Sequence, residues 1–280
     1  MAKNVIVGQS GGPTSVINSS LAGVYKTAKD LGAEKVYGMR NGIQGFLEKK
    51  IVDMSEKIRT DLDLELLKRT PSAFLGSCRY KLPEIGENRE LYDRIFEILA
   101  EYEITAFFYI GGNDSMDTIK KLSDYAILLN SPIRFIGVPK TIDNDLAVTD
   151  HTPGYGSAAK FIASVSKEVI RDGLVYDIRQ ATVIEIMGRN AGWLTGAAAL
   201  AKCEDCEGVD MICLPELAFD VDAFLERVGK LFEQKNSIVI AVSEGIRTQD
   251  GRYVFELTNH TEYVDSFGHK QLSGTARYLA

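Results

Sequence analysis

Short apolar runs alternate with longer stretches of helical periodicity along most of this chain. The strand-like runs are residues 5–7, 107–110, 135–138, 182–186 and 238–242. The helical patterns are residues 15–31, 115–125, 158–170, 194–201 and 221–232. Apolar strands that alternate with amphipathic helices predict βαβ units on a parallel sheet covered on both faces. Because 280 residues suffice for about two domains, we expect an α/β fold of two lobes with parallel-rich, doubly wound sheets.

The composition excludes several functional classes. With 45% hydrophobic and 25% charged residues, the chain has the profile of a globular protein and not of a disordered one. A net charge of −7 and the lack of a Lys/Arg block argue against a nucleic-acid-binding surface. No apolar run approaches the roughly 18 residues of a membrane span, and no signal peptide pattern is present. We therefore expect a cytoplasmic protein with no nucleic acid or membrane partner.

Cys203 and Cys206 form a single C-x-x-C motif. The motif is compatible with zinc or redox chemistry, but a structural zinc site needs four ligands and no second cysteine or histidine pair is nearby. We expect a reduced, structural pair, with zinc or redox chemistry as the alternative.

Polar, glycine-rich loops follow the predicted strands. Parallel sheets bind ligands beyond the carboxyl ends of their strands, and these loops occupy residues 8–13, 111–115, 139–145, 187–190 and 243–245. Gly11-Gly12 and Gly111-Gly112 each precede a helical pattern, where backbone N–H groups and the helix dipole favour a phosphate. The alternative for each glycine pair is a tight turn between strand and helix.

The loop at residues 139–145 carries the densest set of charges. Asp143 and Asp145, with Lys140 and Thr141 just before them, suit magnesium-assisted phosphoryl transfer, in which one acid takes a hydroxyl proton and another helps to hold the metal. An Asx-rich surface turn is the alternative. Arg79 and Arg189 each offer a guanidinium for a phosphate.

Six motifs in this order and spacing resemble the phosphofructokinase family, from the first residues to about residue 245. They are QSGGP (9–13), GSCR (76–79), GGNDS (111–115), PKTIDND (139–145), MGRNAG (187–192) and SEG (243–245). The resemblance implies that residues 1–138 form a lobe that binds the phosphoryl donor. It also implies that residues 139–280 form a lobe that binds a sugar phosphate.

The resemblance also implies roles for individual residues. Asp143 matches the general base that deprotonates the 1-hydroxyl of fructose 6-phosphate, and Arg189 is placed to stabilise the transferring charge. The implied sugar-phosphate contacts are Thr141, Ile142, Asp143, Met187, Gly188, Arg189 and Glu244. The implied donor-phosphate contacts are Gly12 and Arg79, and the implied Mg²⁺ positions are Asn113 and Asp145.

Two residues indicate which phosphoryl donor the chain uses. ATP-using members of the family resemble GGDGS and PGTIDND, whereas this chain has Asp114 and Lys140 at the two glycine positions. The Asp114 carboxylate would repel an α-phosphate, and the Lys140 ammonium would neutralise pyrophosphate. The resemblance is therefore to the pyrophosphate-dependent phosphofructokinases, which implies a reversible reaction and a homodimer or larger homo-oligomer. The alternatives are an ATP-dependent 6-phosphofructokinase and a catalytically silent sugar-phosphate-binding subunit.

Among the departures from the family pattern are an asparagine at a metal position and a leucine within residues 269–272. Asn113 replaces an acid that is common at its position, so we expect magnesium to be held mainly by pyrophosphate oxygens, waters and Asp145. Residues 269–272 (HKQL) have leucine where family members have a phosphate-binding arginine. We therefore expect the sugar-phosphate lobe to be incomplete at its C-terminus.

Overall fold

The computed structural model describes residues 4–257 and 274–280, so the segment 269–272 lies outside the described residues. The chain forms two compact units, unit 1 up to Thr141 and unit 2 from Ile142 onwards. The lobe boundary predicted from the sequence lies after residue 138. The functions assigned above to the two lobes remain predictions.

Unit 1 is an α/β layer structure. Its strands are β1 (Asn4–Gln9), β2 (Lys35–Met39), β3 (Ile51–Asp53), β4 (Ile104–Gly111) and β5 (Arg134–Pro139). Its helices are α1 (Ile17–Asp30), α2 (Gly42–Leu47), α3 (Asp61–Arg69), α4 (Arg89–Glu101) and α5 (Asn113–Leu128). The described strands form one sheet in the order β3-β2-β1-β4-β5, in which only the β2–β3 pairing is antiparallel. The predicted parallel-rich sheet is confirmed.

Both faces of this sheet are covered. Alternate residues of a strand face opposite sides, and accordingly Val5 and Val7 of β1 lie in one hydrophobic core while Ile6 lies in the other. Leu21 of α1 packs in the first core and Leu122 of α5 in the second. The chain thus proceeds from β1 to β2 over one face and from β4 to β5 over the other. The neighbouring strands β1 and β4 flank the topological switch point, where such sheets bind ligands.

Unit 2 contains a smaller parallel sheet in the order β6-β9-β7. The strands of unit 2 are β6 (Gln180–Ile186), β7 (Met211–Cys213), β8 (Ala218–Phe219), β9 (Ser237–Ser243) and β10 (Arg247–Thr248). Its helices are α6 (Tyr155–Gly173), α7 (Trp193–Gly196), α8 (Val221–Phe232) and α9 (Thr275–Leu279). β8 and β10 form a separate parallel pair.

The helical pattern predicted over residues 194–201 is only partly an α-helix. α7 ends at Gly196, and a 3₁₀ turn continues over Ala197–Ala201. The α-helix stays short because Gly192 at its start supplies no side-chain cap and Gly196 has low helix propensity. Within the described residues, every helix is too short or too polar to cross a membrane.

Candidate active site

The carboxyl ends of β1, β4 and β5, here called the unit 1 edge, hold the two glycine loops side by side. Gly11 adopts a left-handed conformation (φ +75°) that favours glycine. Its N–H donates to the Cys78 carbonyl at 3.3 Å, and the Ser77 hydroxyl donates to the Gly11 carbonyl at 2.5 Å. These two bonds attach the segment that carries Arg79 to the loop after β1.

Lys140 brings a buried cation to the unit 1 edge. The residue is 6% exposed, and its Nζ donates to the Gly12 carbonyl at 2.5 Å. Its backbone N–H donates to the Gly111 carbonyl at 3.0 Å. Lys140 therefore contacts both glycine loops, and its ammonium places a positive charge beside them.

The first turn of α5 lies beside these loops. Gly112 is the N-cap, followed by the exposed Asn113 and the half-buried Asp114. The Ser115 hydroxyl donates to the Ser10 hydroxyl at 3.0 Å, which joins the start of α5 to the end of β1. The Asp114 carboxylate places a negative charge at a helix N-terminus, where an anionic ligand would otherwise be favoured.

Glycine at two positions of the unit 1 edge, 111 and 12, has two different structural explanations. A Cβ on Gly111 would lie 1.9 Å from Ser115 Oγ, so packing requires glycine there. At Gly12 no described atom lies within 4 Å of the Cβ position, and the residue does not have a positive φ. The fold therefore does not require glycine at position 12. The open space allows a ligand to approach the backbone closely.

The carboxyl ends of β6 and β9, the unit 2 edge, are joined by hydrogen bonds. The Glu244 N–H donates to the Ile186 carbonyl at 2.9 Å, and the Gly188 N–H donates to Glu244 Oε1 at 3.2 Å. The Ser243 hydroxyl donates to the Gly188 carbonyl at 2.6 Å. The motifs at 187–192 and 243–245 thus meet at this edge.

Gly245 allows this approach. A Cβ at position 245 would lie 2.0 Å from the Arg189 carbonyl oxygen, a separation that real Cβ atoms essentially never show. The backbone of Arg189 therefore occupies the space that any larger residue at position 245 would need.

Burial raises the pKa of the Glu244 carboxyl above its ordinary value. The Gly188 N–H and the Arg189 guanidinium oppose this shift, whereas the negative charges of Asp143 and Glu185 add to it. Asp143 and Arg189, two residues singled out from the sequence, therefore lie within electrostatic range of Glu244, a third.

Asn144 was missed as a site residue by the sequence reasoning. It is 7% exposed and left-handed (φ +58°), its Oδ1 accepts from the Thr152 N–H at 2.8 Å, and its Nδ2 donates to the Asp150 carbonyl at 3.0 Å. These bonds hold the loop that carries Asp143. Asparagine is one of the residues that tolerate this conformation, a signal that was available in the sequence.

A family model described as Phosphofructokinase matches residues 4–280. The chain belongs to the phosphofructokinase family. It is 43% identical over 279 residues to the pyrophosphate–fructose 6-phosphate 1-phosphotransferase of Xanthomonas campestris pv. campestris, covering 99% of this chain and 65% of that relative. The enzyme of the same name from Halomonas elongata is 40% identical over 281 residues, with 99% and 66% covered.

A solved structure of a phosphofructokinase is also similar to this chain. The pyrophosphate-dependent phosphofructokinase from Nitrosospira multiformis matches with a TM-score of 0.81 and 39% identity, over 89% of this chain and 62% of that one. This phosphofructokinase-family chain spans slightly less than two thirds of the length of these three relatives.

The remaining predicted site residues differ in their surroundings. The Ile142 side chain packs against the cluster that contains Ile186 and Leu194, so its contact with a substrate would come from its backbone. Thr141 is half-buried, whereas Met187 is 59% exposed.

A protein cage for a metal ion is not found in the part of the chain that the structure describes. No group of three or more His, Cys, Asp or Glu residues there could hold one, and the predicted positions Asn113 and Asp145 are both exposed. Mg²⁺ commonly takes one or two protein carboxylates and completes its shell with substrate phosphates and water. The residues present fit a magnesium ion of that kind, carried largely by a phosphate ligand.

Proposed function

We propose that this chain catalyses reversible transfer of a phosphoryl group from pyrophosphate to the 1-hydroxyl of D-fructose 6-phosphate, giving fructose 1,6-bisphosphate and phosphate. Lys140 carries this proposal, because its buried ammonium lies 2.5 Å from the Gly12 carbonyl at the switch point of the sheet. The motifs of ATP-using members of the family have glycine at the two positions that Asp114 and Lys140 occupy in this chain. Relatives at 40% and 43% identity bear the name of the proposed activity.

Charge supports pyrophosphate as the donor. Pyrophosphate concentrates several negative charges in a small volume, which one buried ammonium and the N–H groups of a glycine loop can neutralise. A nucleotide would need a further phosphate near the N-terminus of α5, where the Asp114 carboxylate would repel it. Arg79 would contribute a second cation to the same donor.

Asp143 is the proposed general base. It would take the proton of the 1-hydroxyl as that oxygen attacks the near phosphorus of pyrophosphate and the bridging P–O bond breaks to release phosphate. Asp143 follows Lys140 by three positions of chain, which span at most about 11 Å. The proposed donor cation and the proposed base therefore belong to one short segment.

The unit 2 edge would bind the sugar phosphate. Arg189 would pair with its phosphate group and stabilise the charge that develops on the transferring phosphoryl, with the backbone of Met187 and Gly188 beside it. Glu244 would accept hydrogen bonds from sugar hydroxyls, and its own bond from the Gly188 N–H at 3.2 Å orients the carboxylate. Thr141 and Ile142 would contribute substrate contacts from the adjoining loop.

We further propose Mg²⁺ as the cofactor, with Asn113 and Asp145 as its protein positions. When bound, it would neutralise charge on the pyrophosphate oxygens. The test for its protein contacts is the magnesium dependence of pyrophosphate binding in Asp145→Asn, which we expect to weaken relative to the unaltered chain.

Donor choice tests the proposal most directly. Rates with pyrophosphate and with ATP, each with magnesium and fructose 6-phosphate, would be measured for the unaltered chain, Asp114→Gly, Lys140→Gly and the double variant. We expect the unaltered chain to use pyrophosphate, Lys140→Gly to lose pyrophosphate turnover, and Asp114→Gly to admit ATP weakly. The double variant should shift the ratio of kcat/KM values towards ATP by more than about tenfold, or about 1.4 kcal/mol.

Two outcomes would contradict the proposal. A preference of the unaltered chain for ATP, or an unchanged donor ratio in the double variant, would favour an ATP-dependent 6-phosphofructokinase. Calorimetric binding of fructose 6-phosphate without turnover from either donor would instead favour a silent sugar-phosphate-binding subunit.

A homo-oligomer and a cytoplasmic location complete the proposal. Four apolar residues after α6 are each more than half exposed, namely Leu174 (67%), Val175 (71%), Tyr176 (61%) and Ile178 (56%). A run of exposed apolar residues of this kind is typical of a segment that contacts another protein chain. Light scattering on the purified chain should give a mass of at least two copies, and a monomer would contradict the proposal.

A further inference from the structure

Cys203 and Cys206 close a tight turn in unit 2. The Cys203 N–H donates to the Cys206 carbonyl at 2.9 Å, and the Cys206 N–H donates to the Cys203 carbonyl at 3.2 Å. Antiparallel residues that exchange both backbone bonds have Cα atoms about 5.5 Å apart, and a disulfide spans Cα separations of about 4.4–6.8 Å. The backbone is therefore already close to the geometry of a disulfide, although both thiols are free.

The two thiols differ in accessibility. Cys203 is exposed, whereas Cys206 is 8% exposed and packs against Ile170 and Val239. Both cysteines line an open cavity of about 640 Å³. A dissolved oxidant would therefore reach Cys203 first, and Cys206 would be held behind it, an arrangement typical of an attacking and a resolving cysteine.

Charged side chains surround the Cys203 sulfur. Lys167 Nζ donates to Cys203 Sγ at 3.1 Å, and Cys203 Sγ donates to Asp205 Oδ1 at 3.0 Å. Lys167 and Arg171 both pair with Asp205. The sulfur that a dissolved oxidant reaches first is therefore held in place by side chains of helix α6 and of the turn itself.

We propose that Cys203 and Cys206 form a reversible dithiol–disulfide site that exchanges with small disulfides such as glutathione disulfide. The Cys203 thiolate attacks one sulfur of glutathione disulfide, forming a mixed disulfide and releasing one glutathione thiolate, which takes up a proton. The Cys206 thiolate then attacks Cys203 Sγ and releases the second glutathione. Two cysteine thiols are oxidised and one glutathione disulfide is reduced to two glutathiones.

A metal site is the competing use of this motif. The described residues contain no group of three or more His, Cys, Asp or Glu side chains that could hold a metal. A dithiol pair, by contrast, requires only the two cysteines that the turn brings together.

Mass spectrometry of the protein incubated with glutathione disulfide tests the site. We expect the unaltered chain to lose two hydrogens through a Cys203–Cys206 bond that dithiothreitol reverses. Cys206→Ser should stop at a glutathione adduct on residue 203, and Cys203→Ser should leave residue 206 largely unmodified. Retention of both free thiols in the unaltered chain, or the same adduct on Cys206 when Cys203 is absent, would overturn the proposal.

Alkylation of the thiols gives a second, independent readout. Iodoacetamide should alkylate the exposed Cys203 before the buried Cys206. Cys213 serves as a slow internal reference, because burial raises the pKa of its thiol to about 11. Alkylation of Cys206 before Cys203 would overturn the assigned order of attack.

Discussion

The unit 1 edge and the unit 2 edge both place a glycine where loops meet, but the two glycines are needed for opposite reasons. Gly12 faces space that no described atom enters within 4 Å of its Cβ position. At Gly245 the corresponding position lies 2.0 Å from the Arg189 carbonyl oxygen. The first glycine leaves room for a ligand, whereas the second makes room for the protein's own backbone.

This difference predicts two modes of recognition. The unit 1 edge offers backbone groups and one buried cation, Lys140, which suit a compact anion. The unit 2 edge fills its space with backbone and offers the side chains of Arg189 and Glu244, with Asp143 within electrostatic range of Glu244. Substitution of Gly12 should therefore alter donor binding without affecting stability, whereas substitutions at the unit 2 edge should alter chemistry, stability or both.

The largest effect is expected at Asp143. A positioned general base contributes about 10² to 10⁴ in rate, so Asp143→Asn should lower kcat by that factor while leaving fructose 6-phosphate affinity nearly unchanged. Steady-state kinetics and calorimetry measure the two quantities. Asp150→Asn, an exposed acid on the same loop, is the matched control and should retain activity. A kcat of Asp143→Asn within about twofold of the unaltered chain would remove Asp143 from the mechanism.

Gly245→Ala is expected to have the next largest effect. The added Cβ collides with the Arg189 backbone, and overpacking of this kind costs about 1–3 kcal/mol. Thermal unfolding should show a lower Tm, and the displaced Arg189 should raise the KM for fructose 6-phosphate. Gly229→Ala, an exposed position in α8 with no described atom within 4 Å of its Cβ position, should instead raise stability. An unchanged Tm in Gly245→Ala would show that the loop moves to accommodate the added Cβ, and it would contradict this prediction.

Gly12→Ala should separate binding from stability. We expect pyrophosphate affinity to fall about tenfold, because a methyl group fills the approach to the backbone and one charge-assisted hydrogen bond is lost. The Tm should stay within about 1 °C of the unaltered chain. Gly23→Ala, in α1 with the same open surroundings, is the control that should leave pyrophosphate binding intact. A destabilised Gly12→Ala with normal affinity would reverse the proposed contrast.

The smallest effect is expected from the pH dependence of Glu244. Its pKa is raised in the folded state, chiefly by burial, so the folded protein binds this proton more tightly than the unfolded chain. The associated stability is present at low pH and is lost as the pH rises through the folded pKa. Glu244→Gln should therefore raise the Tm by about 1–2 °C near pH 8 and less near pH 5.

Glu226→Gln is the control for this pH dependence. Lys230 lowers the pKa of the exposed Glu226 carboxyl, so its contribution has the opposite sign and is lost as the pH falls. A gain in Tm for Glu244→Gln that is equal at both pH values would contradict the assigned cost of burying its charge.

The strongest sequence patterns predicted their elements well, whereas no helix or strand was predicted between α1 and β4. The pattern at 158–170 became α6, and the run at 238–242 became β9. The missed helix α4 carried readable signals, because Asn88 caps it and Tyr92, Ile95 and Leu99 recur at helical spacing. β3 had weaker signals, since three residues at an antiparallel edge are too few to show a periodicity.

The candidate site likewise has features that the sequence pattern predicts and features that it does not. Positions after strands were sufficient to single out the loops that carry Gly188 and Glu244, because parallel sheets bind ligands at the carboxyl ends of their strands. The contact between these two loops was not predicted. The bond from Lys140 to Gly12, across 128 positions of sequence, depends on side-chain direction and could not be read from spacing. The clamp that Asn144 forms with Thr152 depends in the same way on a local loop conformation.

The amino-acid sequence by itself determined the α/β class, the family resemblance and the residue types that follow each strand, because these depend on local periodicity and on short motifs. Only the tertiary structure decided which glycine leaves space and which is filled, that Lys140 is buried against a carbonyl, and that Cys203 and Cys206 face each other across a turn. Those properties depend on distances between atoms far apart in sequence or on the conformation of a turn. Because many different local sequences are compatible with each of these properties, a local sequence pattern alone does not reveal them.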